Sequence, residues 1–549
     1  MPPPSPPRLP RRSSQPAHTG CAPRRWPLPL AVAPRLFTLI LGFVAAAPAV
    51  ALPGALRVES KVEARVAGTT VSAVEAPGVA ASDPQRLGAD RLIESRLRAG
   101  GLLRWELGGE WLQALQLDLQ ADLFAAPLQY QVQGTSDNAA TADRNLARLS
   151  ADHWLGAERG ATAEGSLLLR QLALSAEGRF FRVSAGRQVS RWGLGLLAQA
   201  GDDEPYQFGL KRRGAVVDRA QVALLPAGIP GDGSLLAVAP LALVFAADRV
   251  VEDDLANRAA GDDARQMVAA LVLRYPQLEV GAYGVRRWQR DSRDLGLDVW
   301  VGDAFAAWHG KFMGQRASLA TEWLMIRGDT NYFRTPSSPA RLNVEQAGGL
   351  LRLRIEGRDF GVQLDGGYAS GDDRPFDEAV TNFKLARDLR VGLVLFGELW
   401  RRQSANIVYN LGDVRFSGQA PAGAERFASG GSATGALWHA QTLRARVGNL
   451  TLLGGFLVAQ GTRKLVDPHR TGLAGGSPKG PRGGAASDEL GVEFDAAAQF
   501  DQPLTAGLSL RARIDFGVAF PGAAFAGADG SAAAAVGAAI GQVALRGSW

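Results

Sequence analysis

The chain is predicted to be all-β, a transmembrane antiparallel β-barrel of about eighteen strands. Three observations predict it. Many segments alternate apolar and charged residues with a period of two, often for ten residues or more. The last segment, Ala532 to Trp549, is itself such a strand and stops on an aromatic residue. Beyond the first fifty or so residues no run of about eighteen apolar residues occurs, so no helix there is expected to span a membrane.

Residues 1–51 read as an export signal. Arg24, Arg25 and Arg35 supply positive charge, Leu36 to Ala47 the apolar core, and Ala49-Val50-Ala51 a small-x-small cleavage site, with the cut placed after Ala51. Cys21, the single cysteine, would leave with it. A thiol-free mature chain excludes cysteine catalysis and cysteine metal sites. The chain holds 60 basic and 54 acidic residues, a formal charge of +6. Removing the six arginines of the signal leaves 54 of each sign, so the basic pI does not point to nucleic acid.

The mature chain, 52–549, reads as the barrel. Leu115, Leu117, Leu119, Ala121 and Leu123 oppose Gln116, Asp118, Gln120 and Asp122. Leu510, Ala512, Ile514 and Phe516 oppose Arg511, Arg513 and Asp515. A soluble sandwich also alternates. Charges of both signs on one face, and lengths near the nine to eleven residues of a tilted membrane strand, favour lipid on one side and a wet lumen on the other. Trp111, Trp192, Trp288, Trp308, Trp400 and Trp549 lie near expected strand ends, where interfacial girdles sit.

Strands are expected near 55–68, 94–107, 111–125, 166–178, 180–198, 214–225, 234–249, 264–275, 277–290, 294–308, 311–328, 342–357, 359–370, 434–447, 449–464, 488–500, 504–519 and 532–549. Short turns, among them Gly310 and 501–503, mostly alternate with long loops, as periplasmic turns and extracellular loops do. The segment 371–433 contains apolar Val391 to Trp400. One crossing there would swap the two ends, so it is expected to be a long loop folded into the lumen, constricting or plugging it. Two crossings would give twenty strands; sixteen is the other alternative count.

Ten arginines are expected to face the lumen: Arg104, Arg170, Arg274, Arg287, Arg352, Arg354, Arg444, Arg446, Arg511 and Arg513. Confined guanidiniums favour anions and pair with carboxylates or phosphates. An equal reading is that they pair with inward acids and brace the wall. Acidic loop clusters suit either hard cations or solvated tips. No metal is expected, and Asp202, Asp203 and Glu204 are the weak candidates for one. Trp549 is expected to serve as the assembly signal of the terminal strand.

Several motifs resemble an uncharacterised family of large Gram-negative outer-membrane β-barrels related to alginate-export porins. They are Gly186-Arg187-Gln188-Val189-Ser190-Arg191-Trp192-Gly193-Leu194-Gly195, Val217-Asp218-Arg219, Gly367-Tyr368-Ala369-Ser370-Gly371-Asp372, and Asn382-Phe383-Lys384 followed by apolar Val391 to Leu399. The resemblance implies eighteen strands and an arginine-lined lumen that passes an acidic polysaccharide.

The expected function is therefore an outer-membrane porin or export channel for an anionic or polar solute, without cofactor. Its expected partners are outer-membrane lipids and lipopolysaccharide, the barrel assembly machinery and periplasmic chaperones, and no nucleic acid. A structural or adhesive barrel with a closed lumen is the main alternative. An outer-membrane enzyme is the lesser one: His153, His309, His439 and His469 show no spacing to a nucleophile. An energised receptor would need a plug domain of roughly a hundred residues, for which 52–93 is too short.

Overall fold

A computed structural model describes residues 55–72, 74–76, 85–86, 91–131, 166–202, 204–210, 214–226, 240–291, 293–332, 341–375, 377–412 and 428–549. The expected signal, 1–51, lies outside the described residues, as do Asp203 and His153. The barrel belongs to one unit, Leu52–Trp549.

Eighteen strands form the wall: β1 (Leu56–Val71), β2 (Arg91–Glu106), β3 (Ala114–Gln131), β4 (Ser166–Glu177), β5 (Phe181–Ser190), β6 (Ala215–Leu224), β7 (Leu241–Glu252), β8 (Asp263–Arg274), β9 (Leu278–Arg290), β10 (Gly296–Phe312), β11 (Gln315–Thr330), β12 (Leu342–Glu356), β13 (Phe360–Ala369), β14 (Ala436–Val447), β15 (Leu450–Leu465), β16 (Ser487–Thr505), β17 (Leu508–Pro521) and β18 (Val536–Ser548). Each pairs antiparallel with the next, and β18 pairs with β1 to close the sheet. Closure leaves the wall without an open edge. Ser60 and Trp549 exchange both backbone hydrogen bonds, at 2.8 and 3.0 Å, so the final residue belongs to the seam.

The strand pairing settles the count. β13 pairs directly with β14, from Tyr368↔Leu437 to Phe360↔Ala445, so the segment between them adds no crossing. Alternation also places the faces as expected. Ile514 and Phe516 are 57% and 52% exposed on the lipid side, while Asp515 between them is fully buried.

Local departures have physical reasons. The β10–β11 turn falls at Met313-Gly314, both at positive φ (48° and 76°), the combination a two-residue hairpin needs. Gly310, the expected turn, lies within the strand. Pro503 lies in β16 beside a register shift, where a missing N–H is tolerated. Trp192 and Trp400 are not girdle residues: the first bonds an inner-wall carboxylate and the second packs inside the barrel.

The largest departure is a wall strand that ends early. β5 stops at Ser190 rather than 198, and the chain then turns inward. Residues from this loop and from the β13–β14 connection form an apolar core with the inner faces of β1 and β9–β18. It includes Leu196, Phe208, Leu210, Phe383, Leu389, Leu393, Val394 and Phe396. Phe383, Leu389, Leu393, Val394 and Phe396 of the 371–433 segment, and Phe208 and Leu210 between the expected strands 180–198 and 214–225, belong to this core.

Candidate functional site: the barrel interior

The β5–β6 loop crosses the lumen, and its contacts can be followed from wall to wall. Trp192 Nε1 donates to Asp303 on β10 at 2.8 Å, and its ring meets Tyr283 of β9 edge-on. Glu322, fully buried on β11, accepts the N–H groups of Leu194, Gly195 (2.9 Å) and Leu196 (3.4 Å). Ala200 O accepts from Arg170 on β4, and Asp202 lies 3.7 Å from Arg98 on β2. The chain then reaches the far side. Glu204 lies 3.3 Å from Arg352, and the Tyr206 ring centre lies 5.0 and 5.2 Å from the guanidiniums of Arg354 and Arg444. Gln207 O accepts from Arg513 at 2.6 Å, and Gly209 N donates to Asp515 at 3.3 Å.

The second inward segment is held in the same manner. Gly392 turns the chain at φ +71°, a conformation glycine adopts without cost. Glu493 on β16 then accepts the N–H groups of Leu393, Val394 (2.7 Å) and Leu395 (2.6 Å). These are the free amides at the start of a π-helical turn, Leu395–Trp400, which continues into α1 (Arg401–Gly412). A carboxylate there satisfies unpaired donors and opposes the positive end of the helix. Burial alone would raise the Glu398 pKa, but Arg401 and Arg402, at 2.7 and 3.2 Å, outweigh it and hold it down to about 2. The two inward segments also bond each other, Ala386 N to Leu196 O at 2.7 Å.

The wall is shaped to receive them. Inward-facing glycines stand where inserted side chains arrive: Gly348 under Phe383, Gly361 under the Tyr206 hydroxyl, Gly455 under Phe208 and Gly517 under Val394. A Cβ on Gly455 would stand 2.6 Å from the Phe208 ring, and one on Gly517 2.8 Å from Val394. Glycine within a strand marks close approach of another group.

The ten expected arginines all lie on strand positions of inward parity, and each meets a partner. Arg352 forms two 2.9 Å bonds with Asp365, Arg354 bonds Gln363, and Arg444 lies 3.9 Å from Glu356. Arg511 bonds Asp501 at 2.6 Å and Arg513 bonds Asp515. Arg104 meets Glu106 and Glu177, and Arg170, fully buried, meets Asp122 and Gln120. Arg287 meets Asp253 at the long-loop end. Arg274 and Arg446 sit at the short-turn rim, bonded to Glu279 and to Gly448 O. Pairing alone does not choose between an anion path and wall bracing. Asp202 and Glu204, the weak metal candidates, face different arginines and do not converge.

On the other side of the lumen, residues of the expected polar face such as Asp122 join Glu63, Arg96, Arg98, Arg546 and Asp248, which the pattern reading passed over. Glu63 on β1 contacts both Arg96 of β2 and Arg546 of β18. Asp122 on β3 contacts both Arg98 and Arg170. Asp248 on β7 binds Arg219 and Gln266 at 2.7 Å each. Glu63 and Asp122 each serve two guanidiniums from the strands on either side, and Asp248 one guanidinium and one amide. Glu63, Arg96, Arg98 and Arg546 have inward parity on alternating segments, so the pattern carries this signal. The three described histidines stand apart, His309 on β10, His439 on β14 and His469 in a loop helix.

No family model matches the chain, and no curated protein matches it. Solved structures do. That of Pseudomonas aeruginosa OccK11 (OpdR) has 12% identity and a TM-score of 0.43, with 89% of this chain and 95% of that one covered. Acinetobacter baumannii OccAB1 has 10% identity and a TM-score of 0.47, with 90% and 96% covered. Pseudomonas aeruginosa OpdK with vanillate has 10% identity and a TM-score of 0.48, with 90% and 99% covered. No alginate-export relationship emerges from them.

Proposed function

We propose that this barrel is an outer-membrane channel that passes small anionic or polar solutes along the β1–β7 side of its lumen. One observation carries the reading: the shared carboxylates of that wall. Arg96 and Arg546 share Glu63, and Arg98 and Arg170 share Asp122. Counting Arg65, which stands opposite Arg96 in register, these five guanidiniums meet three carboxylates, Glu63, Asp122 and Asp202, so the wall keeps an excess positive charge. In a confined lumen such an excess attracts anions and opposes cations. The same pairs brace the wall, so the two expected roles of the arginines coexist there.

Small solutes fit better than the acidic polysaccharide of the motif resemblance, because two inward segments occupy lumen that a polymer would need. Those segments also favour a rival, a structural barrel whose lumen is closed. Outer-membrane placement, recognition of the terminal strand at Trp549 by the barrel assembly machinery, and escort by periplasmic chaperones belong to the same proposal. Planar-bilayer recording in a salt gradient tests it. A current with anion-selective reversal potential, weakened by Arg96→Gln with Arg98→Gln, is expected. Absence of current, or cation preference, overturns it.

A further inference from the structure

The outer face of the barrel carries a pattern of its own at the long-loop end. Arg249 on β7, Arg265 on β8, Arg286 on β9 and Arg327 on β11 share the strand parity of the exposed lipid-side residues Phe245, Met267, Val280 and Met325. They therefore point away from the lumen. Register aligns them across neighbouring strands: Arg249↔Arg265, Arg286↔Trp300 and Trp300↔Arg327. The Arg286 guanidinium lies 5.5 Å from the centre of the Trp300 ring. Trp300 itself is 59% exposed.

Carboxylates of the same outward parity, Asp263, Asp298, Asp329 and Glu345, answer this row in part, and Asp329 is taken by Arg341. Arg249 and Arg265 share Asp263, at 3.1 and 3.0 Å, and Arg286 lies 3.4 Å from Asp298. Arg327 has no hydrogen-bond or ion-pair partner among the described residues, although Glu345 stands opposite it in register. The three paired side chains remain 49–55% exposed, so each guanidinium keeps donors to offer. The other end of the same strands is different. Its outward residues include Leu278, Trp308, Phe312 and Leu319, apolar or aromatic and exposed. Eight residues of tilted strand separate Leu278 from Arg286, a height of about 20 Å, so the row stands near the upper edge of an apolar band of about 25 Å.

We infer that this outward row is a docking surface for the phosphorylated headgroup of an outer-leaflet glycolipid of the lipopolysaccharide type. The inference rests on the outer-membrane placement proposed above. Guanidiniums bind phosphate through paired N–H donors, and indoles settle at the level of headgroups. Five strands at about 4.8 Å spread the row over roughly 19 Å, which suits a headgroup carrying two separated phosphates better than one carrying a single phosphate.

The test titrates the full-length purified protein in detergent with bisphosphorylated lipid A, with the same lipid stripped of phosphate, and with phosphatidylglycerol, read by native mass spectrometry. Wild type is expected to retain lipid A in preference to the other two. The triple variant Arg265→Ser, Arg286→Ser, Arg327→Ser is expected to lose at least fivefold in affinity, while the matching lysine variant retains most of it. Unchanged binding by the serine variant overturns the site, and equal retention of phosphatidylglycerol by wild type overturns the glycolipid assignment. Should the triple variant not fold, Arg327→Ser alone must still weaken lipid A binding. Ion selectivity of the serine variant should match wild type, so failure here and failure of the channel reading are separable.

Discussion

The two sides of the lumen solve different problems with the same strands. Along β9–β18 the inner wall is covered by inserted chain: apolar side chains sit over wall glycines, and buried glutamates grip backbone amides. Along β1–β7 the wall is mostly polar, with arginines and carboxylates interleaved across adjacent strands, and the inserted β5–β6 loop meets it at Ala200 and Asp202. Inward charge is therefore not one thing. Glu322 and Glu493 hold segments in place, whereas Glu63 and Asp122 trim a positive surface. Arg352 and Arg354 are balanced by Glu204 of the inserted loop and Asp365 of the wall, while Arg96 and Arg98 stand where guanidiniums outnumber carboxylates even with Asp202 of the same loop counted.

The strongest way to break this division is to release the inserted chain. Glu493→Ala leaves three buried N–H groups without an acceptor, each costing about 1–3 kcal/mol. Together these exceed what one packed segment tolerates, so the 383–412 segment should leave the wall. Single-channel conductance is expected to rise several-fold with frequent large openings, and Glu322→Ala should act likewise through the β5–β6 loop. Glu63→Gln, on the other side, should leave conductance near wild type and increase anion preference. If both classes of variant behave alike, the two halves are not distinct.

A finer test uses neighbours in sequence that face opposite ways. Gly455→Leu drives a side chain into Phe208, and overpacking of this kind costs about 1–3 kcal/mol. Gly454→Leu points to lipid, where nothing lies within 4 Å of a Cβ. Proteolysis of the intact barrel within the β5–β6 loop should accelerate in the first variant and not in the second. Equal protection would mean that the glycine hollows do not matter to the inserted loop.

The arginines give the third contrast. Arg96→Gln with Arg98→Gln should reduce the anion-to-cation permeability ratio about two- to threefold, from the loss of two charges in a screened lumen. Arg352→Ser with Arg354→Ser should change it less, because Glu204 and Asp365 already balance those two guanidiniums, whereas the arginines around Arg96 and Arg98 outnumber their carboxylates. Reversal potentials of the two double variants decide it. A larger shift for the second pair would place the solute on the covered side.

Much of this was legible from alternation. Period two fixed the strands and the inner and outer faces, and loop parity fixed eighteen crossings in place of twenty. The β5–β6 loop was not legible, because Trp192 to Leu196 has the apolar character of the strand it leaves. Glu322 and Glu493 are not singled out by the pattern, because nothing local distinguishes a carboxylate that grips amides from one that pairs with arginine. Inward-facing glycines were the overlooked clue. Gly348, Gly361, Gly455 and Gly517 fall on the covered wall, where an empty position in a strand announces a side chain from elsewhere.

The smallest expected effect concerns a loop beside the inserted chain. Asp467 caps α2 (Pro468–Leu473) by accepting Arg470 N–H at 3.1 Å, and α2 packs beside α1. Its side chain is fully buried, and burial pushes its pKa up to about 6 despite Arg470 nearby. A raised carboxyl pKa contributes stability that is complete below the ordinary value of about 4 and is lost as pH rises through 6. The amides of α2 should therefore exchange a few-fold faster at pH 8 than at pH 5, after correction for intrinsic exchange, and Asp467→Asn should remove the difference. Conductance should not follow the same titration, since Asp467 touches neither Glu493 nor the arginines of β1–β4. A conductance midpoint near pH 6, abolished by Asp467→Asn, would tie this loop to the open path and end the separation between a covered wall and a conducting one.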